Sequence, residues 1–262
     1  MIGKKIRISR IMRDNKMLCI PMDHGISSGP IKGLDEIHQT INKIDAGGVT
    51  AILIQKGIIK TLSKPPNAGL IMHLSASTEL GPSPNRKIMI GSVDEAIRLG
   101  ADAVSVHINI GCKDEPEMLQ TLGMVSDECD LWGMPLIAMM YPRGENIKNP
   151  QNPETVAHVA RIGAEAGADI VKTVYTGTSD SFKEVVKGSP VPIVIAGGPK
   201  VNTDRGILEM AEGAMRAKAS GVTFGRNVFQ HKDPQGISTA LRLVVLEGKT
   251  VDEAIKVVSN TE

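Results

Sequence analysis

The sequence predicts a (β/α)8 barrel, and three observations carry that expectation. The first is a recurring local pattern in which a helix ends on glycine and an apolar, β-branched run follows at once. It occurs at Ala46-Gly47-Gly48-Val49-Thr50-Ala51-Ile52-Leu53-Ile54, at Leu99-Gly100-Ala101-Asp102-Ala103-Val104-Ser105-Val106 and at Ala166-Gly167-Ala168-Asp169-Ile170-Val171. A looser copy is Ala219-Ser220-Gly221-Val222-Thr223-Phe224. Glycine at a helix C-terminus accepts the left-handed turn that stops the helix. Continuous apolar runs of four to six residues suit strands buried on both faces of a parallel sheet. The second observation is number: eight such runs alternate with helical patterns along the chain. The third is length, since 262 residues match one barrel of about 250 residues.

The elements follow in order. The first 16 residues read as a short helical arm flanking the barrel, and residues 1–262 as a single barrel domain. Strands are expected at 17–22, 51–54, 69–74, 102–107, 135–140, 169–172, 192–196 and 221–224. Between the first two, Leu34, Ile37, Ile41 and Ile44 share one helical face. Ser92 and Glu95 form a capping-box signature, with Gly100 closing that helix. Asn152-Pro153 opens another, whose Val156, Val159, Ala160 and Gly163 share a face. Residues 203–218, 235–247 and 251–258 read as the last helices. The rival architecture, an open doubly wound sheet, would need a Gly-x-Gly-x-x-Gly turn after its first strand. Met22-Asp23-His24-Gly25-Ile26-Ser27-Ser28 stands there instead.

Composition excludes several functions. A net charge of +1 provides no field for nucleic acid or an anionic membrane. One Trp, two Tyr and three Phe are too few for base stacking as a binding mode. Cys19, Cys112 and Cys129 form no Cys-x-x-Cys pair, which suits reduced thiols and a cytoplasmic setting. No run spans a bilayer, and the basic N-terminus is not followed by an apolar signal stretch.

In barrels of this kind chemistry comes from strand C-termini and the loops after them. The sixth expected strand ends on Lys172. A lysine there, made neutral by burial and cationic neighbours, is suited to attack a ketone and form a Schiff base. The plain alternative is an ion pair with an acid such as Asp23. The first strand delivers Asp23 and His24, a carboxylate that is costly to bury without a partner or a task. The fifth delivers Tyr141-Pro142-Arg143: a phenol able to move a proton, and a guanidinium suited to phosphate or carboxylate. A satisfied core hydroxyl and a surface ion pair are their structural alternatives. The seventh and eighth strands end on Gly197-Gly198-Pro199-Lys200 and Gly225-Arg226. Paired glycines and a helix N-terminus in these two loops suit a phosphate. His24, His73 and His107 could face one opening, so a zinc site is conceivable. No His-x-His or His-Glu-x-x-His spacing supports it, and hydrogen-bonded structural histidines are the simpler account.

Five motifs occur together: Met22-Asp23-His24-Gly25, Met140-Tyr141-Pro142-Arg143-Gly144, Ile170-Val171-Lys172-Thr173-x-Tyr175-Thr176-Gly177, Ala196-Gly197-Gly198-Pro199-Lys200 and Gly225-Arg226-Asn227-x-Phe229-Gln230. In this order, and over about residues 16–246, they resemble the archaeal class I aldolase family. The resemblance implies Lys172 as Schiff-base lysine, Tyr141 as proton donor and Asp23 as proton acceptor. It also implies that Asp23, His24, Gly25, Ile26, Ser27, Tyr141, Pro142, Arg143, Gly197, Gly198, Gly225 and Arg226 contact a phosphorylated sugar. It implies neither a metal nor another cofactor, and an assembly of several identical subunits. Two activities occur in that family. One is fructose-bisphosphate cleavage. The other is a transaldolase-type transfer of a hydroxyacetone enamine from 6-deoxy-5-ketofructose 1-phosphate to L-aspartate semialdehyde, an early step toward aromatic amino acids. Fructose aldolases of the family tend to carry tryptophan where Met139 stands, and Tyr175–Phe182 looks more like the transfer enzymes, so transfer is the expected activity. A phosphosugar isomerase using Asp23 without covalent chemistry, and a non-enzymatic phosphometabolite-binding barrel, are the remaining alternatives.

Overall fold

The computed structural model describes residues 1–258. Eight parallel strands close into a barrel: β1 (Met17–Pro21), β2 (Ala51–Gln55), β3 (Gly69–His73), β4 (Ala103–Ile110), β5 (Leu136–Pro142), β6 (Ile170–Val174), β7 (Ile193–Ala196) and β8 (Gly221–Thr223). Each pairs with its sequence neighbours, and β8 returns to β1 with Met17 opposite Gly221. The barrel helices are α1 (Ile37–Ala46), α2 (Lys56–Ile59), α3 (Val93–Arg98), α4 (Glu115–Trp132), α5 (Pro153–Glu165), α6 (Ser179–Lys187), α7 (Asp204–Arg216) and α8 (Pro234–Val245). Among the described residues no helix is long and apolar enough to cross a membrane.

The predicted helix starts have visible causes. Asn152 caps α5 by accepting from the Thr155 amide at 3.0 Å, with Pro153 following, an arrangement that satisfies an orphan donor and pre-sets φ. Ser92 accepts from the Glu95 amide as expected, but the reciprocal half of the box is missing. The Glu95 carboxylate goes instead to Lys56 and Lys60, at 3.0 Å each. A complete box stands at Thr250 and Glu253. The helix expected over 251–258 is α-helical only through Ala254 and ends as a 3-10 turn, Ile255–Val257. Leu34 lies in the turn before α1, though it is buried with Ile41 and Ile44.

Alternation along the strands divides the apolar residues into two layers. Met17, Cys19, Ala51, Leu53, Ile71, Ala103, Ile137, Met139, Ile170 and Val194 fill the barrel interior, while Leu18, Ile52, Val104, Ala138, Met140 and Val171 face the helices. The helix Ile2–Ile11 plugs the N-terminal end, where Ile11 and Met12 join the interior layer. Lys4 holds that helix to the barrel through Asp169 at 2.9 Å and Asp130 at 2.5 Å. Asp169 also accepts from the Leu136 amide at 2.9 Å, so this acid is structural. With one end sealed, the C-terminal mouth is where ligand can enter.

Three strands run two or more residues past their expected C-terminal ends. β4 continues to Ile110, so His107 lies inside a strand and not near its end. β5 includes Tyr141 and Pro142. Lys172 is the central residue of β6, with Thr173 and Val174 beyond it. Each extension is carried by ladder pairing with a long neighbour: Asn109 lies opposite Tyr141, and Val174 opposite Ala196.

Candidate active site

Lys172 shares its strand face with Ile170, so its side chain enters the barrel interior one layer above that isoleucine. It is 5% exposed. Its neighbour across the ladder is Met139, whose sulfur lies 3.9 Å from Nζ. Tyr141, two residues on from Met139, lies on the same face and acts on the amine electrostatically. Asp23 comes from the turn after β1. Its carboxylate lies 3.6 Å from His24 Nδ1 and 3.9 Å from His73 Nε2. Above this group opens a cavity of about 710 Å3, lined by Asp23, His24, Ser27, Tyr141, Arg143 and Lys172, and on the far rim by Gly197, Gly198, Gly225 and Arg226. Ten of the thirteen residues singled out from the sequence as catalytic or sugar-binding thus meet in one place. Gly25 and Ile26 face instead a smaller apolar cavity of about 500 Å3 over α1 and α2. Pro142 lines a third cavity of about 1080 Å3, which shares Tyr141, Arg143, Val174, Ala196, Gly197, Gly198 and Arg226 with the first and runs outward over α6 and α7 without reaching Lys172 or Asp23.

The electrostatics correct one expectation. Burial pulls the Lys172 amine down, as anticipated, but the Tyr141 oxygen, the Asp23 carboxylate and Cys19 outweigh it, and the net direction is up. Burial pushes the Cys19 thiol up to about 12, so it stays neutral, and Asp23 is the standing anion beside the amine. The resting lysine is therefore an ammonium in the field of Asp23, not a free amine. Asp23 shows the converse. Burial works against its charge, but the positive potential of His73, His24 and Lys172 brings it down to about 2. His73 is itself brought down to about 4, chiefly by burial, so at neutral pH the cation facing Asp23 is Lys172. A carboxylate and an ammonium buried together can exchange a proton when ligand changes their surroundings.

The histidines hold structural places around this pair. His73 Nδ1 lies 2.7 Å from Ser105 Oγ, and His107 Nε2 lies 2.9 Å from Asn109 Oδ1. The His107 ring packs on Tyr141 with centroids 4.8 Å apart. Burial lowers the pKa of all three imidazoles. Among the described residues no group of three or more His, Cys, Asp or Glu is placed to hold a metal ion. His24 Nδ1 is buried without a hydrogen-bond partner among protein atoms.

The glycine cradle spans β7 and β8. Gly198 has φ +63° with open space where a side chain would stand, and Arg226 Nη2 donates to its carbonyl at 3.2 Å. A Cβ on Gly225 would come 2.8 Å from the His24 ring, so glycine lets that imidazole lie against the cradle. Sequence reading missed a second rim. After β3 the chain makes a small hairpin, Ser75–Ala76 pairing antiparallel with Ile88–Met89. The loop inside it brings Ser77, Glu79, Asn85 and Lys87 to the cavity. Its residues stand several positions past the end of β3 and match no motif; the only signal was a lysine directly before an apolar Ile88-Met89-Ile90 run.

Comparison with known proteins agrees with this geometry. Residues 17–231 match the model of the DeoC/LacD family of aldolases. A curated relative, 2-amino-3,7-dideoxy-D-threo-hept-6-ulosonate synthase 1 of Archaeoglobus fulgidus, is 42% identical over 99% of this chain and 97% of its own. The 2-amino-4,5-dihydroxy-6-oxo-7-(phosphonooxy)heptanoate synthase of Streptomyces griseus is 38% identical over 91% of this chain and 89% of its own. A solved archaeal fructose-1,6-bisphosphate aldolase, whose catalytic lysine is covalently bound to the carbinolamine of its substrate, superposes with a TM-score of 0.86. It is 31% identical and the match covers 92% of this chain and 99% of that one.

Proposed function

The chain belongs to the DeoC/LacD family of aldolases, and from that premise we propose that it is a transaldolase-type synthase working through a Schiff base on Lys172. The observation that carries this reading is the buried Lys172 amine at the floor of an open cavity, with Asp23 and Tyr141 beside it. The proposed donor is 6-deoxy-5-ketofructose 1-phosphate. Lys172 first gives up its extra proton, for which Asp23 is the adjacent base, and the amine adds to the C5 ketone. Asp23 returns that proton to the carbinolamine hydroxyl, which leaves as water and gives an iminium. The C3–C4 bond then breaks, its electrons pass into the iminium, and the C3 hydroxyl proton goes to Asp23. The products are hydroxypyruvaldehyde phosphate and a hydroxyacetone enamine on Lys172. The enamine carbon attacks the aldehyde carbon of L-aspartate semialdehyde, Tyr141 protonates the new alkoxide, and water releases 2-amino-3,7-dideoxy-D-threo-hept-6-ulosonate and the free lysine.

The two curated relatives support this reading at the acceptor end. Both product names describe a seven-carbon 2-amino acid with its ketone at carbon 6, and they differ at carbon 7, deoxy in one and phosphonooxy in the other. The glycine cradle favours a second reading, a donor that keeps phosphate beside the ketone that Lys172 attacks, as fructose bisphosphate does. The experiment is direct. Borohydride with the ketosugar traps a covalent adduct on Lys172, and Lys172→Ala traps none. The purified protein then converts the ketosugar plus L-aspartate semialdehyde to the amino ketose faster than it cleaves fructose bisphosphate. The reverse preference would replace transfer by simple cleavage, and undiminished turnover in Lys172→Ala would remove both. Buried, free Cys19, Cys112 and Cys129 fit a cytoplasmic setting, and a homo-oligomer is the proposed assembly.

A further inference from the structure

Most charged pairs on this molecule are satisfied close by, as Lys4, Lys56, Lys60, Arg161 and Arg205 show. The mouth differs. Lys87 and Arg143 line the same cavity, and among the described residues neither has a carboxylate within ion-pair distance. Lys87 is half-buried and donates to Ser77 Oγ, which in turn donates to the Pro84 carbonyl at 2.7 Å. Arg143 lies 5.5 Å over the Tyr141 ring. Each cation raises the cost of the other's charge, and Arg143 accordingly helps lower the pKa of Lys87, after burial. The Asp23 and Glu79 carboxylates act on Lys87 only from beyond ion-pair distance, so two like charges turned into one cavity gain when a ligand anion joins them.

Their position matters. The hairpin bearing Lys87 follows β3 and is tied to β4 by Asn109 Nδ2, which donates to the Asn85 carbonyl at 2.8 Å. It is tied to the turn after β1 by Ser27 Oγ, which donates to the Ser77 carbonyl at 2.9 Å. In the closed order of eight strands, β3 and β4 stand opposite β7 and β8. The mouth therefore has two anion-ready rims, the glycine cradle with Arg226 on one side and Lys87 with Arg143 on the other. Tyr141, assigned above to the bond that is made, lies beneath the second.

Resting on the transfer reading, we propose that Lys87, with Arg143, forms the subsite for the anionic end of the aldehyde partner: the phosphate of the aldehyde that leaves, then the carboxylate of the aldehyde that enters. In the proposed donor the phosphate is on C1, two bonds beyond the cleaved C3 and away from the C5 ketone that Lys172 attacks. It departs with the aldehyde, and the amino-acid aldehyde that replaces it also ends in an anion. One cation pair that accepts either group lets the second aldehyde take the place of the first while the enamine waits on Lys172. An ammonium and a guanidinium form charge-assisted bonds with phosphate and carboxylate alike.

The test uses Lys87→Met and Lys87→Arg in the full chain, with L-aspartate semialdehyde and neutral butanal as acceptors. The expected result is a KM for the semialdehyde raised about tenfold or more in Lys87→Met, an unmoved KM for butanal, and recovery of most of the loss in Lys87→Arg. An unmoved KM for the semialdehyde, or equal rises for both aldehydes, would overturn the proposal while leaving the transfer reading intact. Calorimetry with inorganic phosphate is a readout independent of turnover. Wild type binds at two sites, Lys87→Met loses one and Arg226→Met the other. If wild type transfers to neither aldehyde, the transfer reading fails and the calorimetry alone decides the subsite: an unchanged phosphate stoichiometry in Lys87→Met would refute it.

Discussion

Lys172 keeps its proton because a carboxylate has followed it into the barrel. Burial by itself would free the amine, but Tyr141 and Asp23 stand close enough to reverse the direction. Removing the negative charge while keeping the shape should therefore have two opposite effects. In Asp23→Asn the amine loses the anion that stabilises its charged form, so acylation of Lys172 by acetic anhydride, read by mass spectrometry, sets in at lower pH than in wild type. Turnover falls in the same variant, by about 100-fold or more for loss of an acid–base group. Faster turnover, or acylation that shifts to higher pH, would reverse the assigned relation between the two groups. This relation was not legible in the sequence. Lys172, Tyr141, Asp23 and the two glycine loops were legible, because each sits at the end of an apolar run where a barrel opens. Whether a buried lysine is neutral depends instead on distances between residues 31 and 149 positions apart, and no spacing rule encodes them. Lys87 was hidden for a related reason: an irregular hairpin, not a strand end, carries it to the cavity.

At the scale of elements, all eight strands were readable to within three residues because two periodicities agree, glycine stops and apolar runs, whereas α2, α4 and α6 were not placed. What could not be read was where a strand yields to its loop, since β4 and β5 lengthen together through mutual pairing. Glycines within these elements make the physics testable with one kind of substitution and two signs. Gly221 has φ +139°, and an added Cβ would come 1.9 Å from the Met17 carbonyl oxygen, at the seam where β8 closes on β1. Gly221→Ala should cost roughly 2–4 kcal/mol, the range of a backbone clash in a packed core. Gly123 lies inside α4 with nothing within 4 Å of its would-be Cβ. Gly123→Ala should add about 0.5–1 kcal/mol, the difference in helix propensity. Urea midpoints of the two variants measure both. If they shift in the same direction, the space around one of these glycines has been misassigned.

For the molecule as a whole, building the site deep in a closed barrel makes stability depend on pH in an ordered way. His24, His73 and His107 are neutral when folded, chiefly through burial, and His73 is held down to about 4. In the unfolded chain each titrates near the ordinary imidazole value of about 6.5. Between these two limits the unfolded state binds protons that the folded state refuses, so stability must fall as pH drops. His73 alone accounts for about 3 kcal/mol across that window. Asp23 acts lower down. Its folded pKa of about 2 lies below the ordinary 3.8, so its contribution is complete above 3.8 and is lost only as pH falls from there toward 2. Acid unfolding should therefore begin in the histidine window, before any carboxylate of the site is protonated. Urea midpoints measured from pH 7 to pH 4.5 should decline, and in His73→Asn the decline should be shallower, because one depressed imidazole no longer titrates on unfolding. A profile flat down to pH 4.5 would mean that these rings are protonated in the folded barrel, and with three cations then facing Asp23 the ammonium of Lys172 could no longer be the charge that this carboxylate holds.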